Sequence, residues 1–295
     1  MQIRKALPED AKHIVELQQQ HYLNQWTFDA SGLAQNIEKY PERGRLVAEQ
    51  DGKVVGYASY APAEVPATLH VRFYAHADHP EARESLYAAV LQKAQQYQAL
   101  ESTIREDYIA ARAFLEQQGF QNTFQSYGAT VDLQSFDFQP FEGLEERLFI
   151  EGFEVHQGTP EPSAELFELY LEGFEGVPQV PATRWSVQTR EDFEKTYWQE
   201  GFVWFTAAYR NQVVALTVLD VRQPDIQSEI TLTGRKFRHR GLCTLVKAHA
   251  LQWARTQGHL KAGTGGAVIN LPMLKVNRRL GYHIEPMWLT YTRKL

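Results

Sequence analysis

The chain has one cysteine, Cys243, among 295 residues. A single thiol excludes an internal disulfide and suits a reducing compartment. No run of 18 or more apolar residues occurs, so no helical membrane span is expected. The opening Met1-Gln-Ile-Arg-Lys-Ala-Leu-Pro-Glu-Asp10 lacks the apolar stretch of a signal peptide, and the expected location is cytoplasmic. Cations are not in excess. The formal charge is −6 and the pI near 6, which argues against wholesale nucleic-acid binding. His70, His76 and His79 have no cysteine or carboxylate set at metal-ligand spacing, so no metal is expected. What remains is the composition of a folded protein, 43% hydrophobic and 22% charged, with room for two domains.

The chain repeats itself. Val47-Ala-Glu49, Asp51-Gly52 and Val54-Val-Gly-Tyr57 read as a hairpin, and the pattern returns as Phe205-Thr-Ala-Ala208, Arg210-Asn211 and Val213-Val-Ala-Leu216. After each hairpin come two helices. The second ends in Phe114-Leu-Glu-Gln-Gln-Gly119-Phe120 in the first copy and in Val276-Asn-Arg-Arg-Leu-Gly281-Tyr282 in the second. Val54 precedes Gly119 by 65 positions and Val213 precedes Gly281 by 68. Short strands at Ile3–Lys5 and Phe153–Val155 open the copies, and helices follow from Pro8 and Pro160. The boundary is expected in the Phe- and acid-rich stretch 135–152, whose Phe136, Phe138 and Phe141 should pack against a domain and fix the linker.

The most pointed stretch is Arg235-Lys-Phe-Arg-His-Arg-Gly-Leu-Cys243, with four Lys or Arg within six positions and a glycine at the end. A strand-like Ile230-Thr-Leu-Thr233 precedes it. A helix follows, with Leu242, Leu245, Val246, His249 and Trp253 on one face. Strand, basic glycine turn and helix start aim backbone N–H groups at one point, which suits a phosphate. The other reading is a solvated basic helix start, which opposes the helix dipole unless an anion binds.

With Arg238-x-x-Gly241-x-Cys243, Thr264 on the next strand, and Asn270-x-x-Met273-Leu274-x-x-Asn277-x-x-Leu280-Gly281-Tyr282, the second copy resembles the GNAT superfamily of acetyl-CoA-dependent N-acetyltransferases. The resemblance covers about residues 150–295. In the first copy the corresponding place reads His79-Pro-Glu-Ala-Arg-Glu-Ser-Leu-Tyr-Ala88, with Arg83 leading, Leu86 in the glycine position and Glu84 adding negative charge. The arrangement resembles two-domain members of the mycothiol synthase type. It implies an α/β (α+β) fold of two tandem GNAT-like domains, a degenerate one at 1–140 and an acetyl-CoA-binding one at 150–295. Each is expected to hold a mixed, mostly antiparallel sheet flanked by helices, with a splayed central strand pair.

The resemblance further implies that backbone N–H groups of His239, Arg240, Gly241, Leu242, Cys243 and Thr244 hold the pyrophosphate, with the side chains of Arg238 and Arg240 adding charge. Pantetheine would run between strands carrying Thr231, Leu232, Thr233 and Thr264. Relatives often carry Thr-x-Asn where this chain has Thr264-Gly265-Gly266. Asn270 reads as a helix N-cap before Leu271-Pro272, a role compatible with a cofactor contact. Asn277 stands where many members place a tyrosine acid; it can hydrogen-bond the thioester region but cannot protonate a thiolate. Tyr282 or Tyr291 is then the candidate acid. Glu229 is the candidate base, two residues from the family's usual register and so on the same strand face, or else a surface carboxylate. An oxyanion contact is expected from a backbone N–H within 232–234. Trp185, Tyr197, Trp198 and Trp204 read as core or as an acceptor pocket. The expected activity is acetyl transfer from acetyl-CoA to a primary amine of a small molecule or peptide, by a monomer or homodimer, with neither nucleic acid nor membrane as partner. A non-catalytic CoA-binding or structural protein is the rival reading.

Overall fold

A computed structural model describes residues 1–23, 28–178 and 189–295. The chain divides into two compact units, residues 1–125 with 288–295, and residues 126–287.

The first unit runs β1 (Gln2–Lys5), α1 (Ala11–His21), α2 (Ala30–Lys39), β2 (Gly44–Gln50), β3 (Lys53–Pro62), β4 (Thr68–Ala75), α3 (Glu81–Lys93), β5 (Ala99–Arg105), α4 (Ile109–Gln117) and the start of β6 (Gln121–Asp132). The second holds the rest of β6, then α5 (Gln139–Ile150), β7 (Phe153–Gln157), α6 (Ala164–Gly176), α7 (Arg190–Tyr197), β8 (Phe202–Tyr209), β9 (Gln212–Asp220) and β10 (Ile226–Thr233). It continues through α8 (Leu242–Thr256), β11 (Lys261–Ala267), α9 (Leu271–Arg279) and β12 (His283–Ile284). The final strand, β13 (Trp288–Lys294), belongs to the first unit.

Sheet order makes the duplication explicit. The first unit is ordered β1-β2-β3-β4-β5-β13-β6 and the second β7-β8-β9-β10-β11-β6, with β12 pairing β6. The pairs β4–β5 and β10–β11 run parallel, whereas β1–β2, β2–β3, β3–β4, β5–β13, β6–β11, β6–β12, β7–β8, β8–β9 and β9–β10 are antiparallel. The expected mixed, mostly antiparallel sheets flanked by helices are therefore present in both copies.

Local chemistry repeats as well. Each hairpin turns through two consecutive positive-φ residues, Asp51 (52°) and Gly52 (75°) in one copy and Arg210 (52°) and Asn211 (64°) in the other. That conformation matches the strand twist and favours Asn, Asp and Gly. A bulge lies beside the turn in both, at Ala48/Glu49 and at Ala207/Ala208. Gly119 and Gly281 adopt φ of 81° and 85°, and the next residue's N–H returns to a carbonyl five positions back, Leu115 and Asn277 respectively. These are helix stops of the Schellman kind.

The boundary differs from the expected 140/150. It falls at Gln125/Ser126 within one strand, and the stretch 135–152 is not a linker but part of the second unit, as α5 and its approach. Phe136 and Phe141 are buried there beside Leu148 and Phe153, and Phe138 packs against them. The last strand cannot remain with 150–295. β13 pairs β5 along its whole length, from Trp288↔Arg105 to Lys294↔Ala99, and buries Leu289, Thr290 and Tyr291. On its other side Thr123 Oγ1 donates to the Thr290 carbonyl at 3.2 Å.

Ending the chain after Met287 is expected to strip β5 of a neighbour. Hydrogen exchange should then rise across Ala99–Arg105 while α8 in the second unit keeps its protection. Unchanged exchange in β5 would show that β13 does not stabilise the first unit.

Candidate functional site

β10 and β11 are paired only at Ile226↔Ala262 and Gln227↔Gly263. Beyond that point they part. β10 stays with β9 as far as Thr233↔Ala215, and β11 stays with β6 as far as Ala267↔Ser126. The expected splayed pair is real, and it leaves one edge of β10 without a strand. Which groups face the gap follows from ladder parity. Gly234 N–H donates to the Val214 carbonyl at 2.9 Å, so it faces β9. Alternation along an antiparallel ladder then turns the N–H groups of Thr231 and Thr233 toward the gap. Within the expected 232–234 window, Thr233 is the residue whose amide faces the gap.

At the end of β10 the chain turns through a 3₁₀ segment at Arg235–Phe237, His239 at φ 64° and Gly241 at φ 97°, and α8 begins at Leu242. Gly241 is the N-cap, has no side chain to cap with, and accepts the Leu245 N–H through its carbonyl. A helix leaves its first N–H groups without intrahelical acceptors, and the dipole there favours an anion. No acidic residue stands in the first turn of α8. A Cβ on Gly241 would lie 2.9 Å from Leu144 Cδ1, and the left-handed backbone independently disfavours any other residue.

The basic run disperses. Arg235 pairs with Glu175 at 2.6 Å, and its N–H donates to Glu172 Oε1 at 2.7 Å. Arg240 pairs with Glu151 at 3.1 Å and lies over the Phe153 ring. Arg238 turns into the cleft instead, its Nε–H donating to the Thr233 carbonyl at 3.1 Å and its guanidinium packed where a Cβ on Gly176 would be. The expectation that Arg240 adds charge to a phosphate site is corrected by its pairing with Glu151.

A cleft of about 630 Å³ occupies the gap. Among the expected residues it is lined by Thr231, Leu232 and Thr233 of β10, by Arg238 and His239, by Gly241 through Thr244, and by Asn270. Asn270 also caps α9, its Oδ1 accepting from the Met273 N–H at 3.4 Å, so the expected cap is present in a residue that lines the cleft. Cys243 Sγ lies 2.9 Å from Thr233 Oγ1, and desolvation pushes its thiol up, which leaves it a packing group. Sequence reasoning missed the opposite wall. Gly173, Gly176 and Val177 come from the end of α6, and Leu271, Met273 and Lys275 from α9. Gly173 lets α6 close on β10, since a Cβ there would sit 2.7 Å from Leu232 Cδ2. Helix pattern alone carries no sign of that contact.

Other expected residues stand outside the lining. Glu229 falls at a bulge between Ser228 and Ile230. The extra residue breaks the two-residue alternation, so the parity argument that kept Glu229 on the face of Gln227 does not hold. Desolvation and then Asp220 push its carboxyl up, and Arg222 opposes them. Thr264 faces Lys247, whose Nζ donates to Oγ1 at 3.4 Å. Asn277 is fully buried and donates to the Tyr127 hydroxyl at 2.9 Å. Tyr282 is buried and its phenol pushed up by desolvation, which removes it from the solvent-facing wall. Tyr291 lies in the first unit and donates to Glu116 at 2.7 Å. Trp204 is core, with Tyr197 and Trp198 packed on the same cluster; Trp185 lies outside the described residues.

Lys247 was not anticipated. It is 2% exposed, its Nζ is 5.2 Å from the centre of the Tyr282 ring, and burial pulls its pKa down to about 8. The signal was available, because α8 is apolar on almost every face around it.

The first unit contains the same divergence of strands. β4 and β5 pair from Thr68↔Ala99 to His70↔Glu101, then part toward β3 and β13. Here the gap is filled. Among the described residues the space left is about 10 Å³, bounded by His21, Tyr22, Tyr74, Phe114 and Leu115 among others. Tyr22 and Tyr74 join hydroxyls at 3.1 Å, and the His21 ring stands edge-on to Tyr74. Burial and then Arg83 pull His21 down to about 4, so the plug is neutral near pH 7. The residue-by-residue match to the loop also changes. Leu86 is not at the glycine position but inside α3, fully buried against Gly56. The N-cap counterpart of Gly241 is Pro80, followed by Glu81 and Glu84 in the first turn. Acidic residues there satisfy the helix dipole and repel a phosphate.

Residues 11–120 match the model of the acetyltransferase (GNAT) family. The match falls on the first copy, which keeps the scaffold, whereas the loop motif lies in the second. No curated protein sequence matches the chain. Among solved structures, a GCN5-related N-acetyltransferase from Sphaerobacter thermophilus is 15% identical with a TM-score of 0.68, over 99% of this chain and 95% of that one. A tandem GNAT protein from the clavulanic acid biosynthesis pathway is 17% identical with a TM-score of 0.62, over 99% and 98%. The glucosamine N-acetyltransferase region of a fungal multi-domain β-N-acetylglucosaminidase is 14% identical with a TM-score of 0.70, over 99% of this chain and 38% of that one. The fold is therefore the tandem GNAT fold.

Two outcomes follow from the site's construction. Gly241→Ala is expected to cost about 1–2 kcal/mol in chemical denaturation, the strain of a left-handed alanine. For Lys247 the folded pKa of about 8 lies below the unfolded 10.5, so the unfolded chain holds more protons between them. Stability should rise from pH 8 toward pH 10.5. Lys247→Met, which keeps the stem, should abolish that rise and raise stability at pH 7 by about 3 kcal/mol.

Proposed function

Starting from a chain built as a tandem GNAT protein, with the acetyltransferase (GNAT) family match over residues 11–120, we propose that the second unit binds acetyl-CoA and transfers its acetyl group to a primary amine. One observation carries the reading: the parted strands of the second unit enclose an open cleft that ends on an uncapped helix start, while the same gap in the first unit is plugged.

The residues present fit the cosubstrate. The N–H groups of the first turn of α8, with Arg238 beside them, suit a diphosphate. The bare edge of β10 suits the amides of pantetheine, which replace the missing neighbour strand. At the inner end the Thr233 N–H meets a carbonyl oxygen that gains charge as the amine adds. Glu229, with its raised carboxyl, is the proton acceptor we assign, acting from the bulge through an intervening water. No acid is required at the leaving thiol, whose pKa of about 8.5 lets it depart as thiolate.

The rival reading, a CoA binder without turnover, is favoured by the burial of Asn277 and Tyr282, which leaves neither of these candidates at the cleft wall. Acetyl-CoA is expected to raise the thermal midpoint of the full chain, and Arg238→Glu to abolish that rise; no rise with the native chain would overturn the binding assignment. Thiol release with a panel of small amines and peptide N-termini then separates enzyme from binder, since only transfer yields free CoA-SH. Glu229→Gln should remove the acidic limb of the pH–rate profile. An unmoved limb would leave alignment of amine and thioester as the whole of the catalysis.

A further inference from the structure

The proposed reaction leaves one buried charge unused. Lys247 is among the least exposed side chains of the second unit, and its neighbours place it at the inner end of the cleft. Cys243 and Thr244 line the cleft from α8, and Lys247 follows them by four and three positions, on the same helix face one turn further. From α9, Val276 lines the cleft and buried Asn277 comes next. β10 meets this face of α8 through Thr233, whose Oγ1 lies 2.9 Å from Cys243 Sγ. β11 meets it through Thr264, whose Oγ1 accepts from Lys247 Nζ at 3.4 Å. Thr264 is the first residue beyond the last β10–β11 pair, Gln227↔Gly263. α8 therefore floors the gap between the parted strands, with Cys243 toward its open end and the Lys247 ammonium at its closed end.

The surroundings of that ammonium are polar but neutral. One N–H goes to the Thr264 hydroxyl, and the face of the Tyr282 ring lies 5.2 Å from Nζ. Cys243 and Tyr282 are the titratable groups facing it, and burial keeps both in the neutral form. Behind them, Arg238 acts on Cys243 from the loop and Tyr127 acts on Tyr282 from β6. Among the described residues no carboxylate pairs with Lys247. Asn277 Oδ1 and the Tyr282 hydroxyl are also buried, and among the described residues neither has a hydrogen-bond partner. An ammonium taken out of water without a carboxylate is costly to keep charged, and an anion brought beside it removes that cost. The closed end is thus built for negative charge that the chain itself does not supply.

Resting on the acetyl-CoA reading above, we propose that Lys247 is the fixed positive charge that stabilises the thiolate of coenzyme A at the closed end of the second unit's cleft. When the carbon–sulfur bond breaks, its electron pair stays on sulfur, and no proton need go with it. The negative charge formed there meets an ammonium held only by a hydroxyl and a ring face. Away from bulk water such a charge reaches further than it would in solution. Neighbouring cations lower the pKa of protein thiols, and the same electrostatics applies to the thiol of the cosubstrate. Lys247 stands behind the lining residues, so it acts through its field and not as a contact of the substrate.

The test is the acidity of the coenzyme A thiol on the full chain. It is read by nuclear magnetic resonance of coenzyme A labelled isotopically at the carbon next to sulfur. Free thiol ionises near pH 8.5, so little of it is thiolate at about pH 7. On the native chain the ratio of thiolate to thiol should be about tenfold higher or more. Lys247→Met, expected to be more stable than the native chain at pH 7, should return the ratio to that of free coenzyme A. Lys247→Gln, which keeps a donor for Thr264 but no charge, should do the same and serves if the methionine variant does not fold. Both variants should still bind coenzyme A by calorimetry below about pH 6.5, where the thiol is protonated. A lysine with only a structural role would leave the ionisation of the sulfur unmoved. If the bound thiol of the native chain titrates like the free one, or is as acidic in the variants as in the native chain, the lysine assignment falls and the acetyl-CoA reading stands. If the native chain does not bind coenzyme A, both fall.

Discussion

The parting of β10 from β11 after two paired residues is the constraint from which the second unit's chemistry follows. A strand edge inside a domain presents amides and carbonyls that must find partners. Three arrangements meet that need here. Gly234 turns back to β9, the Thr233 carbonyl accepts from Arg238, and the Thr231 and Thr233 amides are left facing a cleft. The bare edge is what a chain of amides requires, and it ends on a helix whose first N–H groups have no side-chain cap. Under the proposed function, backbone rather than side-chain identity would set the recognition.

The first unit shows how the same scaffold closes that opening. Its strands part in the same way, but Tyr22, Tyr74, His21 and Phe114 occupy the gap, and Pro80 with Glu81 replaces the glycine turn. The two copies thus separate what the fold supplies from what particular residues supply. The fold gives the hairpin with its two positive-φ residues, the bulge beside it, the parted strands and the left-handed glycine closing the last helix. Side-chain volume decides whether the opening stands open, and the residues of one helix turn decide its charge.

That division also explains what the sequence made legible. Signals confined to a few neighbouring residues were readable: the turns at Asp51-Gly52 and Arg210-Asn211, the Asn270 cap, the stops at Gly119 and Gly281, and Gly241 at the helix start. Features depending on distant partners were not. The pairing of β13 with β5 joins residues nearly 190 positions apart and carries no local mark. Arg235 and Arg240 read as part of one phosphate-facing cluster, because Glu172, Glu175 and Glu151 come from helices far away in the chain. The bulge at Glu229 removes the ground for a parity argument that is sound only for a regular strand. Matching the two loops by spacing failed for a related reason. The connection before α3 is shorter than that before α8, so a fixed offset carried the comparison into the helix interior.

The dispersal of the basic run bears on how the second unit of an acidic chain would select the proposed anion. Glu172, Glu175 and Glu151 hold Arg235 and Arg240 at the periphery, so that of the arginines in the run Arg238 lines the cleft, beside the helix start and with Lys275 on the opposite wall. A uniformly basic patch would attract any polyanion at long range; this one acts only at contact distance, where geometry discriminates. With Asn277 and Tyr282 buried, proton transfer at the leaving group contributes little to the proposed reaction. Acid–base assistance is worth roughly 10²–10⁴-fold, whereas fixed alignment of two reactants reaches effective molarities of about 10⁵–10⁸ M. In the proposed reaction, a site that held its cosubstrate through backbone along the strand edge would accelerate chiefly by alignment. Its rate would then depend more on Gly173, Gly176 and Gly241, which let the walls approach, than on any single ionisable side chain.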